Sequence, residues 1–502
     1  MSKGHASHAG NSQSHSGHGH DGGDFDMHAA VRRILAAAQF EIRLDPQAEQ
    51  QLERLTAPAP MPAGVKDLRA LAWSSIDNQE SRDLDQVEVA EQLPDGSIKL
   101  IVGIADVDAL VPKGSPIDEH AYANCTSVYT GVEVFPMLPE KLSTGLTSLN
   151  ENEDRLAIAI ETVVDATGNV TAFDVYRAMV RNGAQLAYDE VGAWLDGDAP
   201  PAKVAGNKAL SEQLKLQHEA SKRLKAERVR NGALELDTIE ATPIAKDGHI
   251  VDLAVVRKGK ARDLIEDFMI ASNVAIAKFL EAKGRSGIRR VVREPERWAR
   301  IVELAARYGE TLPAEPDSLA LAEFLVKRRD AAPDLFPDLS LSIVKLMGPG
   351  IYALDLPGKD PGGHFGLATH DYSHATAPNR RYADLVTQRL VKATLANAPA
   401  PYTNDELTEV AARCTEREDA ENKVERTVRK TAAAVLLSDR IGQVFDAIVT
   451  GANEKGTFVR TLHPPAEGMV VRNHAGFDVG DKVKVKLVGA DPWKGFIDFE
   501  GV

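Results

Sequence analysis

Three aspartates fall within nine residues of the segment Ser75-Ile76-Asp77-Asn78-Gln79-Glu80-Ser81-Arg82-Asp83-Leu84-Asp85-Gln86. Asp83 and Asp85 are two apart, so in extended chain they project to the same side. Downstream, Val87 to Glu91 and Ser97 to Asp106 alternate on either side of Pro94-Asp95-Gly96, which reads as a hairpin. With Asp95-Gly96 as a two-residue turn, Pro94 pairs with Ser97 and Asp85 faces Asp106. Asp77, Asp83, Asp85 and Asp106 then crowd one end of a sheet. Like charges that close are costly unless a cation neutralises them. All-oxygen donors suit Mg²⁺ or Mn²⁺ rather than zinc, and such a site can activate water for in-line displacement at phosphorus. The same spacing also suits a solvated acidic loop that holds no metal.

A second segment, Ala377-Pro378-Asn379-Arg380-Arg381-Tyr382-Ala383-Asp384, puts two arginines after a rigid turn and just before a helix. A guanidinium beside a metal site stabilises charge developing on a phosphoryl oxygen. The bland alternative is a structural pair between Arg381 and Asp384. Neither segment decides the matter alone.

The elements that must position these residues can be read from pattern. At 502 residues, with 43% hydrophobic, the chain has room for about three domains and a sizeable core. Residues 1–24 are largely Gly, Ser and His and read as a disordered tail, although His5, His8, His15, His18 and His20 could hold a divalent metal loosely. Residues 25–65 suggest two short helices, from Met27 to Ala38 and from Pro46 to Leu55, followed by the linker Ala57 to Pro62. They suit a helix-turn-helix that touches nucleic acid and equally a packing appendage. Residues 66–437 form one mixed α/β stretch, with strands at Ile98 to Val107 and Leu156 to Val164 and a buried helix from Asp263 to Phe279. A long, partly solvated helix is expected over 404–437, with Asn404 as its N-cap. Residues 438–502 alternate short strands (Val444 to Val449, Thr457 to Arg460, Lys482 to Leu487) with Gly-containing turns, the pattern of a small β-barrel. The fold class expected is α+β: a small helical N-terminal unit, a mixed α/β domain and a C-terminal barrel.

Charge and cysteine usage bound the setting. The sum of 59 basic and 74 acidic side chains is −15, which excludes a generally cationic nucleic-acid coat. Positive charge is instead local, in Arg257 to Arg262, Arg285 to Arg293, Arg380-Arg381 and the barrel lysines. Cys125 and Cys414 give no disulfide framework and no thiolate metal site, which fits a reducing cytoplasm. No stretch approaches the ~18 apolar residues of a membrane span. A cytoplasmic monomer without a membrane partner is expected.

Taken together the motifs resemble those of the ribonuclease II/R family of 3′→5′ exoribonucleases. That family's Thr/Ser-Ile-Asp and Asp-x-Asp-Asp segments are matched by Ser75 to Asp77 and Asp83 to Asp85, and its Ile-Ala-Asp strand by Ile104 to Asp106. Pro136 to Ser143, Leu264 to Met269, His364 to Leu367 and Ala377 to Asp384 follow in the family order. The resemblance implies Mg²⁺-dependent hydrolysis of RNA from the 3′ end, releasing nucleoside 5′-monophosphates. It implies that Asp77, Asp83 and Asp85 are catalytic carboxylates that hold metal, and that Arg380 braces the scissile phosphate. Tyr129 would stack on terminal bases, Glu425 would lie near the last nucleotide, and Arg381 is a further candidate RNA contact. The last 65 residues resemble the S-one-type OB barrel that ends this family, with Phe458 as the base platform and Lys484 and Lys486 as phosphate contacts.

Three departures stand out. The family's fourth aspartate is Gln86 here, which offers a metal a neutral oxygen without charge; Asp108 is a candidate to compensate. Leu236 takes the place of an aromatic that often faces the stacking tyrosine. About 65 residues precede the α/β stretch, too few for the two cold-shock-type barrels usual in the family, which implies a more open entrance for structured RNA. A catalytically impaired RNA-binding protein on the same fold is the alternative.

Overall fold

In the computed structural model, which describes residues 25–239, 241–246, 249–255, 259–453 and 456–502, an α+β domain leads into a closed β-barrel. The His-rich segment 1–24 and the Arg257-Lys258 pair lie outside the described residues. Helix α1 (Met27–Ala37) starts at Asp26, whose carboxylate accepts the Ala29 N–H, and α2 (Pro46–Arg54) starts at Asp45 in the same way. The two helices dock on different surfaces. α1 buries Met27, Val31 and Leu35 in one cluster with Val424, Val428 and Ala432, while α2 packs on α3 (Pro116–Asn124).

The strands of the α/β domain are β1 (Lys66–Asp67), β2 (Ser75–Asp77), β3 (Gln86–Gln92), β4 (Ile98–Ala105), β5 (Val128–Tyr129), β6 (Val134–Phe135), β7 (Asp154–Val164), β8 (Val170–Arg181) and β9 (Gln185–Ala187). Five of them make one sheet in the order β1-β8-β7-β4-β3, antiparallel except where β1 lies beside β8. β4 is buried along almost its whole length, as its apolar run requires. β3 is one of the two edge strands, β1 the other. The Ala90 N–H of β3 donates to Gln213 Oε1 (2.7 Å) from a packed helix, so that edge is covered rather than open.

The β3–β4 hairpin corrects the expected register. Leu93 N–H donates to the Ser97 carbonyl (2.9 Å) and Gln86 pairs with Ile104, so the turn has three residues, Pro94 to Gly96. Asp95 bonds both the N–H (3.0 Å) and the hydroxyl (2.6 Å) of Ser97, and Gly96 takes a φ of +85° that a side chain would disfavour. The extra residue shifts every pair by one. Asp85 therefore sits opposite Ala105, and the buried Asp106 carboxylate is occupied by Lys392 (2.7 Å) and Arg177 (3.0 Å). Asp106 does not join the acidic cluster.

Helices α4 (Tyr188–Asp196), α5 (Ala202–Ala205), α6 (Lys208–Arg230) and α7 (Lys260–Ala282) follow. α7 packs on β7 and β8 and buries Leu264, Ile265, Phe268, Ile276, Phe279 and Leu280 around most of its circumference, as expected of that segment. Strands β10 (Ala241–Lys246) and β11 (His249–Val255) form a hairpin, and β12 (Gly287–Val291) pairs with β13 (Ile351–Asp355). Helices α8 (Trp298–Arg307), α9 (Ser318–Ala331) and α10 (Phe336–Met347) form an apolar cluster of their own, with Leu236 packed against it.

α11 (Tyr382–Leu395) carries Arg389, which is buried and ties three segments together through Asp108 (2.9 Å), Asp118 (2.8 Å) and Tyr402 (2.7 Å). α12 (Asn404–Leu437) runs 34 residues with a buried stripe at helical spacing. Its N-cap is Thr403 and not Asn404: the Thr403 hydroxyl accepts the Glu406 N–H while Glu406 reaches back to the Thr403 N–H.

The barrel is closed by β14 (Val444–Asn453), β15 (Gly456–Thr461), β16 (Glu467–Arg472), β17 (Lys482–Asp491) and β18 (Phe496–Gly501), in the order β14-β15-β16-β18-β17. Its core includes Val449, Val459, Val485, Leu487 and Phe499. Arg460 and Asp338, both buried, join the barrel to α10 at 3.1 Å. No helix among the described residues is long and apolar enough to cross a membrane. Cys125 and Cys414 are free and buried.

Candidate active site

Asp77 ends β2, which is held in place by parallel pairing with β9. Its Oδ1 accepts the Asn78 N–H (2.7 Å) and the Ser81 hydroxyl (3.0 Å). Burial raises its pKa, and the neighbouring Asp83 charge adds to the rise. Asn78 in turn accepts from Arg262 (2.9 Å), whose guanidinium lies 4.4 Å from the centre of the Tyr188 ring.

Asp83 and Asp85 flank Leu84, which is 1% exposed and anchors the loop. Ser148 fixes that loop by accepting the Leu84 N–H (3.0 Å) and donating to the Arg82 carbonyl (2.7 Å). Asp85 is itself buried. Its Oδ1 accepts the Asn379 N–H (3.0 Å) and its Oδ2 lies 3.6 Å from Arg380 Nε. Burial pushes the carboxyl up to about 7, against the pull of Arg380 and of the Asn379 N–H.

The arginine segment and the tyrosine arrive together because their backbones pair. Ser127 N–H donates to the Arg380 carbonyl (3.0 Å) and Tyr382 N–H to the Cys125 carbonyl (2.8 Å). Tyr129, at the end of this strip, donates its hydroxyl to Asp83 Oδ2 (2.6 Å), and its backbone N–H donates to Glu425 Oε1 (3.0 Å). Burial first, and then Asp83, raise the Tyr129 pKa, so the phenol stays a donor. Part of the ring remains exposed, at 39% for the residue. Asp77, Asp83, Asp85, Arg380, Tyr129 and Glu425 are thus linked in one locus.

Other expected residues lie elsewhere or are otherwise engaged. Arg381 makes a bidentate pair with Asp384 (2.8 and 2.7 Å), and the fully buried Asp384 also accepts the Thr376 and Ala377 N–H groups. Asp108 is taken by Arg389 and Lys392 (2.6 Å) and does not replace the missing fourth aspartate. Gln86 begins β3, buried beside Asp85. Phe458 is half-buried on β15, opposite Met469. Leu236 packs with the α8–α10 cluster.

Four residues of this locus escape sequence reading. Asn379 contributes a backbone N–H, which no side-chain pattern advertises, while its carboxamide accepts the Thr147 hydroxyl (2.6 Å). Ser81 holds Asp77, and Glu421 lies one helical turn before Glu425, where burial and the Glu425 charge raise its carboxyl pKa. Glu88 is fully buried, with neither carboxyl oxygen hydrogen-bonded, and burial together with Asp77 holds its pKa well above the usual range. The signal for Glu88 is visible in hindsight as a charge inside the apolar alternation Val87-Glu88-Val89.

The donor chemistry fits a hard divalent cation: three carboxylates, with Asp83 raising the pKa of both Asp77 and Asp85 by repulsion that a cation would relieve. Among the described residues, no three His, Cys, Asp or Glu side chains already stand in a coordination shell. Asp83 and Asp85 are instead held by Tyr129 and Arg380.

Residues 65–397 match the model of the RNB domain, and residues 443–502 that of the RNase II-type exonuclease C-terminal S1 domain. Ribonuclease R 1 of Lactococcus lactis is 29% identical over 95% of this chain and 61% of its own length. Ribonuclease R of Escherichia coli is 32% identical over 85% of this chain and 54% of its own. The chain therefore spans about three-fifths of the length of these relatives, or somewhat less. The structure of Mycoplasma genitalium RNase R in complex with double-stranded RNA aligns with a TM-score of 0.85, at 24% identity over 95% of this chain and 83% of that one. At that identity the likeness speaks for the fold. With two thirds of its residues in the matched domain, the chain belongs to the RNB-domain family and carries an RNase II-type C-terminal S1 domain behind it.

Proposed function

We propose that this chain is a 3′→5′ exoribonuclease that hydrolyses RNA from its 3′ end and releases nucleoside 5′-monophosphates. The observation that carries the reading is the placement of Asp83 and Asp85 on either side of buried Leu84, facing the Tyr129 hydroxyl and Arg380. Arg380, with 44% of its side chain exposed, has a guanidinium accessible to a phosphoryl oxygen as charge builds there. The exposed part of the Tyr129 ring offers a base a stacking face, worth roughly 1–3 kcal/mol and indifferent to sequence. Asp77, Asp83 and Asp85, with Gln86 as a neutral oxygen, would hold Mg²⁺ or Mn²⁺. Such an ion, when bound, lowers the pKa of water and neutralises phosphoryl charge.

The barrel, with Phe458 on its surface, would hold single-stranded RNA as it approaches. Access to duplexed ends belongs to the same proposal and is supported by the likeness to an RNase R solved in complex with double-stranded RNA. The free, buried cysteines suit a reducing compartment such as the cytoplasm.

A time course on uniformly labelled RNA tests the activity. Mononucleotides should appear with Mg²⁺ and cease with chelator. RNA binding without mononucleotide release in Mg²⁺ would instead favour an RNA-binding protein, the second reading that Gln86 suggests. On a duplex with a short 3′ overhang, a stall many nucleotides before the duplex would overturn the proposal about structured ends.

A further inference from the structure

The basic run from Arg257 to Arg262 stands out in the sequence, and the exoribonuclease reading gives none of it a role. Two of its cations, Lys260 and Arg262, lie among the described residues and open α7. Lys260 is spent on Asp196 (2.7 Å) and on the Leu195 carbonyl (2.9 Å). Arg262 has no carboxylate partner among the described residues. Its Nη2 donates to Asn78 Oδ1 (2.9 Å), and its guanidinium lies over the Tyr188 ring, 4.4 Å from the centre. Both partners are neutral, so the positive charge stays uncompensated. Helix stability does not account for it either, because a cation in a first turn opposes the helix dipole. These contacts fix where the charge stands. Asn78 gives Asp77 its backbone N–H (2.7 Å), so Arg262 sits on the Asp77 side of the acidic loop. Arg380 approaches the same loop from Asp85 (3.6 Å). Both reach Tyr188: burial raises its phenol pKa, Asp77 and Glu88 add to the rise, and Arg262 and Arg380 oppose it.

We propose that Arg262 holds a backbone phosphate of the RNA on the 5′ side of the terminal linkage, while Arg380 holds the terminal one. The inference rests on the exoribonuclease reading and adds a positioning residue to it. None of the matched motifs contains Arg262, the nearest of them beginning at Leu264. A guanidinium stacked on a ring keeps donors at its edge for a phosphate oxygen. Tyr188 and Asn78 already hold this one in place, so little side-chain freedom is lost when RNA arrives. A strand held at two phosphates cannot swing about the terminal one, which keeps the scissile linkage over the loop from Asp77 to Asp85. The plainer role, a tether for Asn78 and so for Asp77, predicts no dependence on any phosphate.

The test is equilibrium binding of fluorescent single-stranded oligoribonucleotides by the full chain in chelator, so that no turnover intervenes. Wild type, Arg262→Gln and Arg262→Lys are compared over a range of salt. Arg262→Gln should bind about tenfold more weakly, the loss of one charge-assisted bond to phosphate. Its slope of log Kd against log salt should shrink by about 0.7, the share of one phosphate contact on a single strand. Arg262→Lys keeps the charge and should keep the slope. The linkages near the 3′ end are then replaced one at a time by neutral methylphosphonates. One replacement on the 5′ side of the terminal linkage should cost wild type about tenfold and Arg262→Gln almost nothing. An unchanged slope in Arg262→Gln, equal losses for both proteins at every linkage, or coupling confined to the terminal linkage would overturn the inference. Coupling at the expected linkage in a chain that releases no mononucleotides with Mg²⁺ would sink the activity reading and leave this one standing.

Discussion

Replacing Asp85 by asparagine removes the charge from a carboxyl that is 3% exposed, while keeping an oxygen for the Asn379 N–H at 3.0 Å. In the folded chain that carboxyl titrates at about 7, against an ordinary value of 3.8. The folded state thus holds the proton more tightly than the unfolded state does. The stability this supplies is fully present below about pH 4, is lost as pH rises toward 7, and is gone above it. The whole span of about three pH units corresponds to about 4 kcal/mol at ~1.4 kcal/mol each. The part between pH 5 and pH 7, two units, is about 3 kcal/mol. The substituted carboxamide has no such titration. Its only evident loss is the 3.6 Å contact with the half-exposed Arg380, which contributes about 1 kcal/mol or less. Urea denaturation in chelator at pH 5 and pH 8 measures the difference between wild type and Asp85→Asn. That difference should move by about 3 kcal/mol in favour of the variant on going to pH 8. Added Mg²⁺ should then restore wild type and not the variant, by about 2.7 kcal/mol at a hundredfold excess over Kd. An equal difference at both pH values would refute the assignment of Asp85 as a strained, buried acid.

Other substitutions probe the remaining links. Tyr129→Phe keeps the ring but removes the 2.6 Å bond to Asp83, so mononucleotide release should fall about tenfold with RNA affinity retained. Tyr129→Ala should in addition weaken binding and change where degradation stops, read on a denaturing gel. Arg381→Ala leaves the fully buried Asp384 without its bidentate partner and should lower unfolding stability by about 3 kcal/mol, measured by denaturant titration. Gly468→Ala would bring a Cβ to 2.5 Å from the Phe499 ring and 2.6 Å from the Ile497 carbonyl. It should destabilise the barrel by about 1–3 kcal/mol, visible in thermal unfolding.

What was legible in the sequence follows from how far each signal reaches. Asp77, Asp83 and Asp85 could be grouped because one short loop carries all three, and the periodicity of 263–279 and 404–437 announced helices that bury the expected faces. The hairpin register failed by one residue because Pro94-Asp95-Gly96 admits both a two- and a three-residue turn, and the Asp95–Ser97 bonds decide between them. That single step carried Asp106 from the cluster into an ion pair with Lys392. Arg381 was ambiguous because a guanidinium three residues before an aspartate is read identically as a partner or as a ligand contact. Glu421 was hidden for a different reason. Its place depends on the phase of α12 against Tyr129, whose residue number is almost three hundred lower, and long-range contacts such as Tyr129 N–H to Glu425 and Arg290 to Glu418 set that phase.

The net charge of −15 gains meaning from where the cations go. The stretch from Arg285 to Arg293 concentrates positive charge, yet Arg289 is buried between Asp355 (2.7 Å) and Asp371, and Arg290 holds Glu418. Arg389 and Lys392 are likewise consumed by Asp108, Asp118 and Asp106. These pairs fix the strands and helices around the site and offer little to a polyanion. Arg380 differs because its contact with Asp85 is long, at 3.6 Å, and nearly half of its side chain faces solvent. On the proposed function, these committed cations would offer little to a phosphodiester approaching the acidic loop, and a bound divalent cation would be the condition for its attraction rather than an accessory to it.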